Sequence, residues 1–182
     1  MLSLYSWNVN GVRAAHRKGF LDWLTAVSPD ILCLQETKCH PDQLDAELRQ
    51  PDGYHTYWAW AEKKGYSGVA VFTKIKPDKV VTGNGHTQSD DEGRVIQLHF
   101  GKLLLINAYF PSGTSGDERQ SFKMEWLNEM LPYLNSIKKK FEGIILCGDY
   151  NIAHTPIDIH DPKGNKNTTG FLPEERAWMD DF

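Results

Sequence analysis

Polar side chains that could bind a metal ion or a phosphate end four apolar segments of this chain. They are Asn8 and Asn10, then Glu36, then Tyr109, and finally Asp149 and Asn151. Each segment has the length and composition of a strand, and the side chains of a strand alternate between its two faces. Asn8 and Asn10 therefore point the same way, as do Asp149 and Asn151.

These residue types favour a magnesium site if the strand ends are neighbours. Asn8, Glu36, Asp149 and Asn151 would then form a cluster of carboxylates and amides. Hard Mg²⁺, or Mn²⁺ in its place, prefers such oxygen ligands, whereas zinc prefers nitrogen and sulfur. Any one of these residues alone is more typical of a turn or a helix cap. Four such interruptions on four segments together indicate a site.

The surrounding segments predict a mixture of strands and helices. Strands are predicted at residues 2–8, 31–35, 54–60, 68–73, 94–100, 103–109 and 144–147. Helices are predicted at 20–27, at 43–48 and from Pro173 onward. A further long helix is predicted to begin at the Ser115 and Glu118 capping box, with a kink or break at Pro132. Residues 13–18 are predicted as a basic turn, and 101–102 as a two-residue hairpin turn. This mixture predicts α/β or α+β layers without choosing a topology.

Composition narrows the class of protein but not its partner. The 182 residues are 40% hydrophobic and 24% charged, which is typical of a globular domain. A net charge of -4 neither indicates nor excludes a nucleic-acid partner, because basic residues can gather on one face. Cys33, Cys39 and Cys147 form no CxxC pair, which favours a reducing, cytoplasmic location over a zinc site or a disulfide scaffold. We see no signal-peptide pattern and no apolar stretch of membrane-spanning length.

An ordered set of motifs resembles the exodeoxyribonuclease III / AP endonuclease family. The motifs are WNVNG at 7–11, LQETK at 34–38, GYSGVA at 65–70, EGRV at 92–95, NAYFP at 107–111, GDYNIAH at 148–154, IDI at 157–159, PKGNK at 162–166 and GFLPEER at 170–176. The resemblance covers essentially the whole chain, and the ordered set is far more specific than any single motif.

The resemblance implies a fold and a reaction. The fold would be α/β (α+β), a four-layered sandwich of two facing mixed β-sheets flanked by helices, forming one domain over residues 1–182. The reaction would be Mg²⁺-dependent hydrolysis of the DNA backbone 5′ to abasic sites, with 3′-5′ exonuclease or 3′-phosphodiesterase activity. The implied partner is double-stranded DNA with abasic sites or 3′ ends. No membrane is implied, protein partners stay open, and the location would be cytoplasmic, at the nucleoid, or nuclear in a eukaryote.

The resemblance also assigns roles to matching residues. Asn8 and Glu36 would hold Mg²⁺ with Asn10 in support, while Tyr109 would hydrogen-bond the scissile phosphate. Asp149 would orient and deprotonate the attacking water, and Asn151 would donate to the transition-state oxygens; both also belong to the predicted metal cluster. The predicted DNA contacts are Arg13, Lys38, Arg94, Lys163, Asn165 and Lys166.

Members of the family continue past the helix that starts at Pro173, into a segment whose Asp and His belong to the catalytic site. None of the seven histidines of this chain stands in the matching context. We therefore expect a domain that is incomplete at its C-terminus, with an open sheet edge, marginal stability and weak cleavage of abasic DNA.

Two alternatives stay open from the sequence. One is another branch of the same superfold, such as a phosphoinositide phosphatase or a sphingomyelinase, although the motif at residues 170–176 argues against it. The other is a non-catalytic fragment that binds DNA. Activity on abasic DNA against phosphoinositide separates the first, and salt-sensitive duplex binding without cleavage would favour the second.

Overall fold

The computed structural model describes all 182 residues, which divide into two compact units. The first unit comprises residues 1–109 and 138–149, and the second comprises 110–137 and 150–182. The strands are β1 Leu4–Asn8, β2 Ile31–Gln35, β3 His55–Ala59, β4 Val69–Thr73, β5 Lys79–Thr82, β6 Val95–Phe100, β7 Leu103–Tyr109 and β8 Gly143–Asp149. The α-helices are α1 Val12–Arg17, α2 Phe20–Val27, α3 Ala46–Arg49, α4 Thr87–Asp91, α5 Asp117–Lys138 and α6 Pro173–Asp181, and short 3₁₀ turns lie at Pro41–Gln43 and Pro156–Asp158.

The first unit contains two mixed four-stranded sheets. Sheet 1 has the order β1-β2-β4-β3, and sheet 2 has the order β5-β6-β7-β8. The pairs β1–β2 and β7–β8 are parallel, and the other pairs are antiparallel. The register sets Asn8 opposite Gln35 and Tyr109 opposite Asp149. The polar residues found in the sequence therefore stand at the carboxyl ends of parallel strands.

Two apolar cores hold the sheets of the first unit. One core packs one face of sheet 1 against α1 and α2, and it includes Phe20, Leu34 and Phe72. The other core fills the space between the two sheets, and it includes Cys33 and Leu105. Every residue of β2 is buried, because one face of this strand meets the helices and the other meets sheet 2. A continuous apolar run is what a strand buried on both faces requires.

The second unit is organised around aromatic side chains. The Phe110 ring lies 4.5 Å from the Trp126 ring and 4.4 Å from the Tyr150 ring, measured between centroids. The Trp178 indole N–H of α6 donates to the Leu127 carbonyl of α5 at 2.7 Å. These contacts fix the two helices of this unit to each other.

Most predicted elements are present. The two mixed sheets with helices confirm the α/β prediction. The helix at 20–27, the hairpin turn between β6 and β7, and the helix start at Pro173 are also confirmed. The extent of the chain as a single domain stays a prediction. No helix has both the length and the apolar character needed to span a membrane.

Other predictions were wrong for local reasons. Residues 13–18 are mostly helical, because α1 covers Val12–Arg17 and begins where Gly11 donates to the Glu36 carbonyl. Residues 43–48 do not form a single helix, since Leu44 and Asp45 separate the 3₁₀ turn from α3.

The long helix begins at Asp117, without the capping box at Ser115, and continues through Pro132 without a break. Its 22 residues bury a row of large side chains, and that packing outweighs the one hydrogen bond that proline removes. The short elements β5 and α4 were not predicted. β5 is a partly exposed edge strand, so it lacks the apolar pattern that marks a strand in sequence.

Candidate active site

Three strand ends meet at a cluster of polar side chains in the first unit. The Asn8 amide donates to the Glu36 carboxylate at 2.8 Å and to the Asp149 carboxylate at 2.6 Å. Asn8 ends β1, Asp149 ends β8, and Glu36 directly follows β2. The cluster therefore joins both sheets. The structure thus brings together three of the four residues predicted to hold a metal ion.

Glu36 is presented to this cluster by a strained backbone. Its φ is 54°, in the left-handed region that a residue with a side chain enters at a cost of about 1–2 kcal/mol. The Glu36 carbonyl accepts from Gly11 at 2.7 Å, and the next two residues donate to Gly68 and Ser67. These backbone bonds hold the strained turn in place, as is common at functional sites.

Gly148 explains how β8 brings Asp149 beside Tyr109. Its φ is 146°, and a Cβ at this position would overlap the Ala108 carbonyl of β7. Only glycine allows this close approach of the two strands. In the motif at residues 148–151, Gly148 therefore allows the strands to pack closely, and Asp149 supplies a carboxylate to the cluster.

The charge of the cluster is only partly balanced. Burial alone would raise the pKa of Glu36, but hydrogen bonds from Asn8 and Lys38 and the Lys38 charge hold this pKa below its usual value. The Lys38 ammonium lies 2.7 Å from Glu36 and also donates to the Asn10 side-chain oxygen at 2.5 Å. Lys38, which was predicted to contact DNA, thus binds Glu36, a predicted metal ligand, and Asn10, which was predicted to support the metal site.

Tyr109 points its hydroxyl group at the same cluster. Burial, and then the negative charge of Glu36, raise its pKa well above the usual value, and the phenol donates a hydrogen bond to Glu36. Tyr109 therefore stays protonated in the neutral and mildly alkaline range. It can serve as a hydrogen-bond donor but not as a base.

Arg94 contacts both the ring and the backbone carbonyl of Tyr109. Its side chain is 2% exposed, and its guanidinium lies 4.7 Å from the Tyr109 ring centroid. It donates to the Tyr109 carbonyl at 3.0 Å, to the Tyr66 hydroxyl at 3.3 Å and to the Glu92 carboxylate at 2.6 Å. Burial and these partners make its guanidinium part of the framework of the site, and the predicted contact of Arg94 with DNA stays a prediction.

A buried polar layer lies between the sheets, next to the cluster. The Gln35 amide donates to the Asn107 side chain at 2.7 Å and to the Ser6 hydroxyl at 3.0 Å. The Asn107 amide donates to the carbonyls of Leu34 and Ala70 across the space between the sheets. Gln35 and Asn107 therefore fix the spacing of the two sheets at the level of the site. Sequence reasoning missed both, although each is a polar residue inside an apolar strand.

Asn151 belongs to the second unit, where both its side chain and its backbone carbonyl form hydrogen bonds. Its side-chain amide donates to the Phe110 carbonyl at 2.9 Å, and its backbone carbonyl accepts from the Lys123 ammonium at 2.8 Å. Its φ is 50°, again in the left-handed region. Lys123 forms an ion pair with Glu175 at 2.6 Å in which both side chains are fully buried. Neither Lys123 nor Glu175 was singled out in the sequence, because a Lys and a Glu on helices are usually solvated.

The remaining predicted DNA contacts have different surroundings. Arg13 is exposed on α1 of the first unit, and Lys163 and Lys166 are exposed in the second unit. The Asn165 amide is engaged in its own loop, where it donates to the carbonyls of His160 and Asp161. Contact of these four residues with DNA stays a prediction.

The donor set of the cluster fits a hard divalent cation. Two carboxylates, Glu36 and Asp149, share one amide donor, and the ammonium of Lys38 is a single positive charge beside them. No thiol or imidazole is among these contacts, so the ligands are of the oxygen type that Mg²⁺ prefers. Glu36, Asp149 and Asn8 are the residues placed to hold such an ion.

Comparisons with known proteins give consistent matches. Residues 5–181 match the model of the endonuclease/exonuclease/phosphatase family. An exodeoxyribonuclease of Bacillus subtilis is 46% identical over 96% of this chain, which covers 68% of that protein. The DNA repair nuclease APEX1 of Danio rerio is 44% identical over 96% of this chain, which covers 57% of that protein, less than two thirds.

Solved structures agree with these matches. An AP endonuclease from Archaeoglobus fulgidus superposes with a TM-score of 0.82 at 30% identity, covering 99% of this chain and 69% of its own. A 3′ phosphatase from Neisseria, solved with a product DNA hairpin, gives a TM-score of 0.87 at 27% identity, covering 99% of this chain and 69% of its own.

Proposed function

Because this chain belongs to the endonuclease/exonuclease/phosphatase family of hydrolytic enzymes, in its exodeoxyribonuclease and AP endonuclease branch, we propose that it acts in Mg²⁺-dependent DNA repair. The reaction is hydrolysis of the phosphodiester 5′ to an abasic site, with 3′-5′ exonuclease or 3′-phosphodiesterase activity on DNA ends. The observation that carries this proposal is the meeting of Asn8, Glu36 and Asp149 at one place that also receives the Tyr109 hydroxyl.

Each residue of the cluster has a role in this proposal. Asp149 accepts a proton from the attacking water and aligns that water with the phosphorus atom. Tyr109 donates a hydrogen bond to a phosphate oxygen, and its raised pKa keeps the phenol protonated for that purpose. For Asn151, in the second unit, the role implied by the resemblance stays a prediction: donation to the oxygens that gain charge in the transition state. Asn8 holds the two carboxylates in a fixed relation.

Glu36, Asp149 and Asn8 would hold a divalent ion, which would supply positive charge to balance the charge of the phosphate oxygens. Asn10 and Lys38 support that site, because both are tied to Glu36 through the Lys38 ammonium. The Lys38 ammonium can then bind either the Glu36 carboxylate or a DNA phosphate. Exposed Arg13 is available for phosphate contact on the same unit.

The decisive experiment follows cleavage of a duplex with one synthetic abasic site, at saturating and limiting Mg²⁺. We expect cleavage that EDTA abolishes and that falls roughly 100-fold or more in Glu36→Gln, Asp149→Asn and Tyr109→Phe. Lys102→Gln is the control, because its pair with Glu142 is exposed on both sides. Equal rates in all these variants would disprove the assigned roles.

The same assay measures how active this chain is by itself. The expectation from sequence that cleavage is weak stays a prediction. If no cleavage is seen but the duplex is bound with a steep dependence on salt, the chain is a DNA-binding unit. Hydrolysis of a phosphoinositide, without hydrolysis of abasic DNA, would contradict the proposed substrate.

A further inference from the structure

One buried amide group joins the strands that carry the cluster. The Gln35 side-chain nitrogen of β2 donates to the Ser6 hydroxyl of β1 at 3.0 Å and to the Asn107 side-chain oxygen of β7 at 2.7 Å. The Asn107 amide then donates to the Leu34 carbonyl of β2 at 3.0 Å and to the Ala70 carbonyl of β4 at 2.9 Å. Three strands of sheet 1 and one strand of sheet 2 therefore share a single set of hydrogen bonds.

Two members of this set stand one strand repeat before residues of the cluster. Ser6 lies two residues before Asn8 on β1, and Asn107 lies two residues before Tyr109 on β7. Side chains two residues apart point to the same face of a strand and lie roughly 7 Å apart along it. Each hydrogen bond therefore fixes its strand at a short distance from the cluster and on the face that carries it.

The same set bears on the two carboxylates of the cluster. Gln35 directly precedes Glu36, whose left-handed backbone turns the chain away from β2. Asn107 bears on Asp149 through the parallel pairing of β7 with β8, which sets Asp149 opposite Tyr109. Gln35 and Asn107 thus connect the segment that carries one carboxylate to the strand pair that carries the other.

Stability alone does not call for amides at these positions. Gln35 is 1% exposed and Asn107 is fully buried, and burying an amide costs free energy that its hydrogen bonds only offset. Apolar side chains of similar size can replace a buried hydrogen-bonded pair with little loss of stability. Hydrogen bonds, however, fix distance and angle, whereas apolar contacts are not directional. The advantage of the amide pair therefore lies in geometry.

We propose that Gln35 and Asn107, with Ser6 in support, are positioning residues that set the distance between the sheet 1 and sheet 2 parts of the cluster. They act through their neighbours in the strands, Glu36 and Tyr109, and take no part in the chemistry themselves. This inference rests on the proposed function, in which the two parts together hold one divalent ion. Loss of either amide lets the two sheets settle at another spacing.

The test measures ion binding apart from catalysis. The whole chain, freed of metal with EDTA and dialysed, is titrated with Mn²⁺, and free Mn²⁺ is followed by electron paramagnetic resonance. Gln35→Met and Asn107→Leu should each lower the Mn²⁺ affinity by about 10–100-fold, the usual effect of removing a residue that orients metal ligands. In cleavage of abasic duplex at saturating Mn²⁺, kcat should fall by a similar factor while KM for the duplex stays unchanged.

Gln97 on β6 provides the matched control. It is 4% exposed and donates to the Gly83 carbonyl at 2.6 Å. Its neighbours Ile96 and Leu98 lie in the core between the sheets, so Gln97 faces away from that space. Gln97→Met loses a comparable buried hydrogen bond and should bind Mn²⁺ as tightly as the parent chain.

A double variant separates positioning from folding. Gln35→Met combined with Asn107→Leu leaves neither amide buried without its partner, so its urea midpoint should lie closer to the parent value than those of the single variants. Its Mn²⁺ affinity should remain low. It also supplies the measurement if a single variant does not fold.

Three results would overturn the positioning role: parent affinity in the Gln35 and Asn107 variants, an equal fall in Gln97→Met, or recovery of affinity in the double variant. Glu36→Gln distinguishes this failure from failure of the proposed function. If Glu36→Gln abolishes Mn²⁺ binding while the Gln35 and Asn107 variants bind normally, only the positioning role fails. If the parent chain binds no Mn²⁺, or Glu36→Gln binds it equally well, both fail. Weakened binding in the Gln35 and Asn107 variants of a chain that cleaves no DNA would refute the proposed function alone.

Discussion

At the scale of single residues, the site depends on side chains whose charge is held by specific partners. Glu36 and Tyr109 are the clearest cases, since their pKa values move in opposite directions within one cluster. A carboxylate kept ionised and a phenol kept protonated are the two states that metal binding and hydrogen bonding to phosphate require. Asn8 and Lys38 keep the carboxylate ionised, whereas burial and the Glu36 charge keep the phenol protonated against the opposing charge of Arg94.

The lowered pKa of Glu36 predicts how stability depends on pH. The folded chain holds the ionised form, so this contribution is fully present above the ordinary pKa of 4.5 and is lost as pH falls through the lower folded pKa. We expect Glu36→Gln to lose less stability than the parent chain as pH falls below the unfolded pKa of a glutamate. Thermal unfolding as a function of pH measures this.

The exposed acid Glu142 supplies the control for that measurement. Glu142→Gln should leave the acid limb of the stability curve unchanged. If Glu36→Gln follows the parent curve as closely as this control does, the folded state does not favour ionised Glu36.

Arg94 gives a second prediction at this scale. Arg94→Met leaves the Glu92 carboxylate and the Tyr109 carbonyl without the cation that they bind. We expect the free energy of unfolding to fall by about 2–4 kcal/mol, because a buried partner is left uncompensated. Urea unfolding measures the change.

The matched control for Arg94 is Lys102→Met, which breaks an ion pair whose side chains are both 73% exposed. Exposed pairs contribute roughly 0–1 kcal/mol, so this change should be small. Similar losses in the two variants would contradict the framework role of Arg94.

At the scale of elements, β1, β2, β7 and β8 position the cluster, and α5 and α6 position Asn151 within the second unit. Lys123 of α5 reaches both the Asn151 carbonyl and Glu175 of α6. A buried ion pair adds little net stability compared with apolar residues of similar size, but loss of one partner is strongly unfavourable. The pair therefore fixes where Asn151 lies more than how stable the unit is.

A double-mutant cycle tests this reading of the ion pair. We expect Lys123→Met and Glu175→Leu each to lower the free energy of unfolding by about 3–5 kcal/mol. The double variant should lose clearly less than the sum of the two, because no charge is left buried alone. Strict additivity would show that the two side chains do not act as a pair.

At the scale of the whole molecule, both sheets end in strands with exposed apolar side chains. Tyr5 and Trp7 of β1 are 43% and 38% exposed, and Ile145 of β8 is 37% exposed. Terminal strands of this kind tend to pair with another chain.

We expect the chain to associate as its concentration rises, through these strands. Tyr5→Lys combined with Ile145→Lys should reduce the association, because charges on a terminal strand oppose pairing. Sedimentation velocity over a tenfold range of concentration measures it. Lys79→Glu on β5, an exposed position at the opposite edge of sheet 2, is the control. Monomeric behaviour of the parent chain throughout this range would refute the prediction.

The sequence by itself determined the residue types and their local settings. The interruptions at Glu36 and Tyr109 were visible because β2 and most of β7 are buried and must be apolar. Those at Asn8 and Asp149 stood out because large apolar side chains precede them. The helices at 20–27 and from Pro173 followed from periodicity and from proline at a helix start, which act over a few residues.

Only the tertiary structure decided which of these residues meet. The contact of Asn8 with Asp149 joins positions 141 residues apart, and no local pattern encodes such a pairing. The same is true of Arg94, whose exposed or buried state depends on Tyr66, Glu92 and Tyr109 closing around it. Local propensities act through neighbours in the chain, whereas burial and charge compensation depend on neighbours in space.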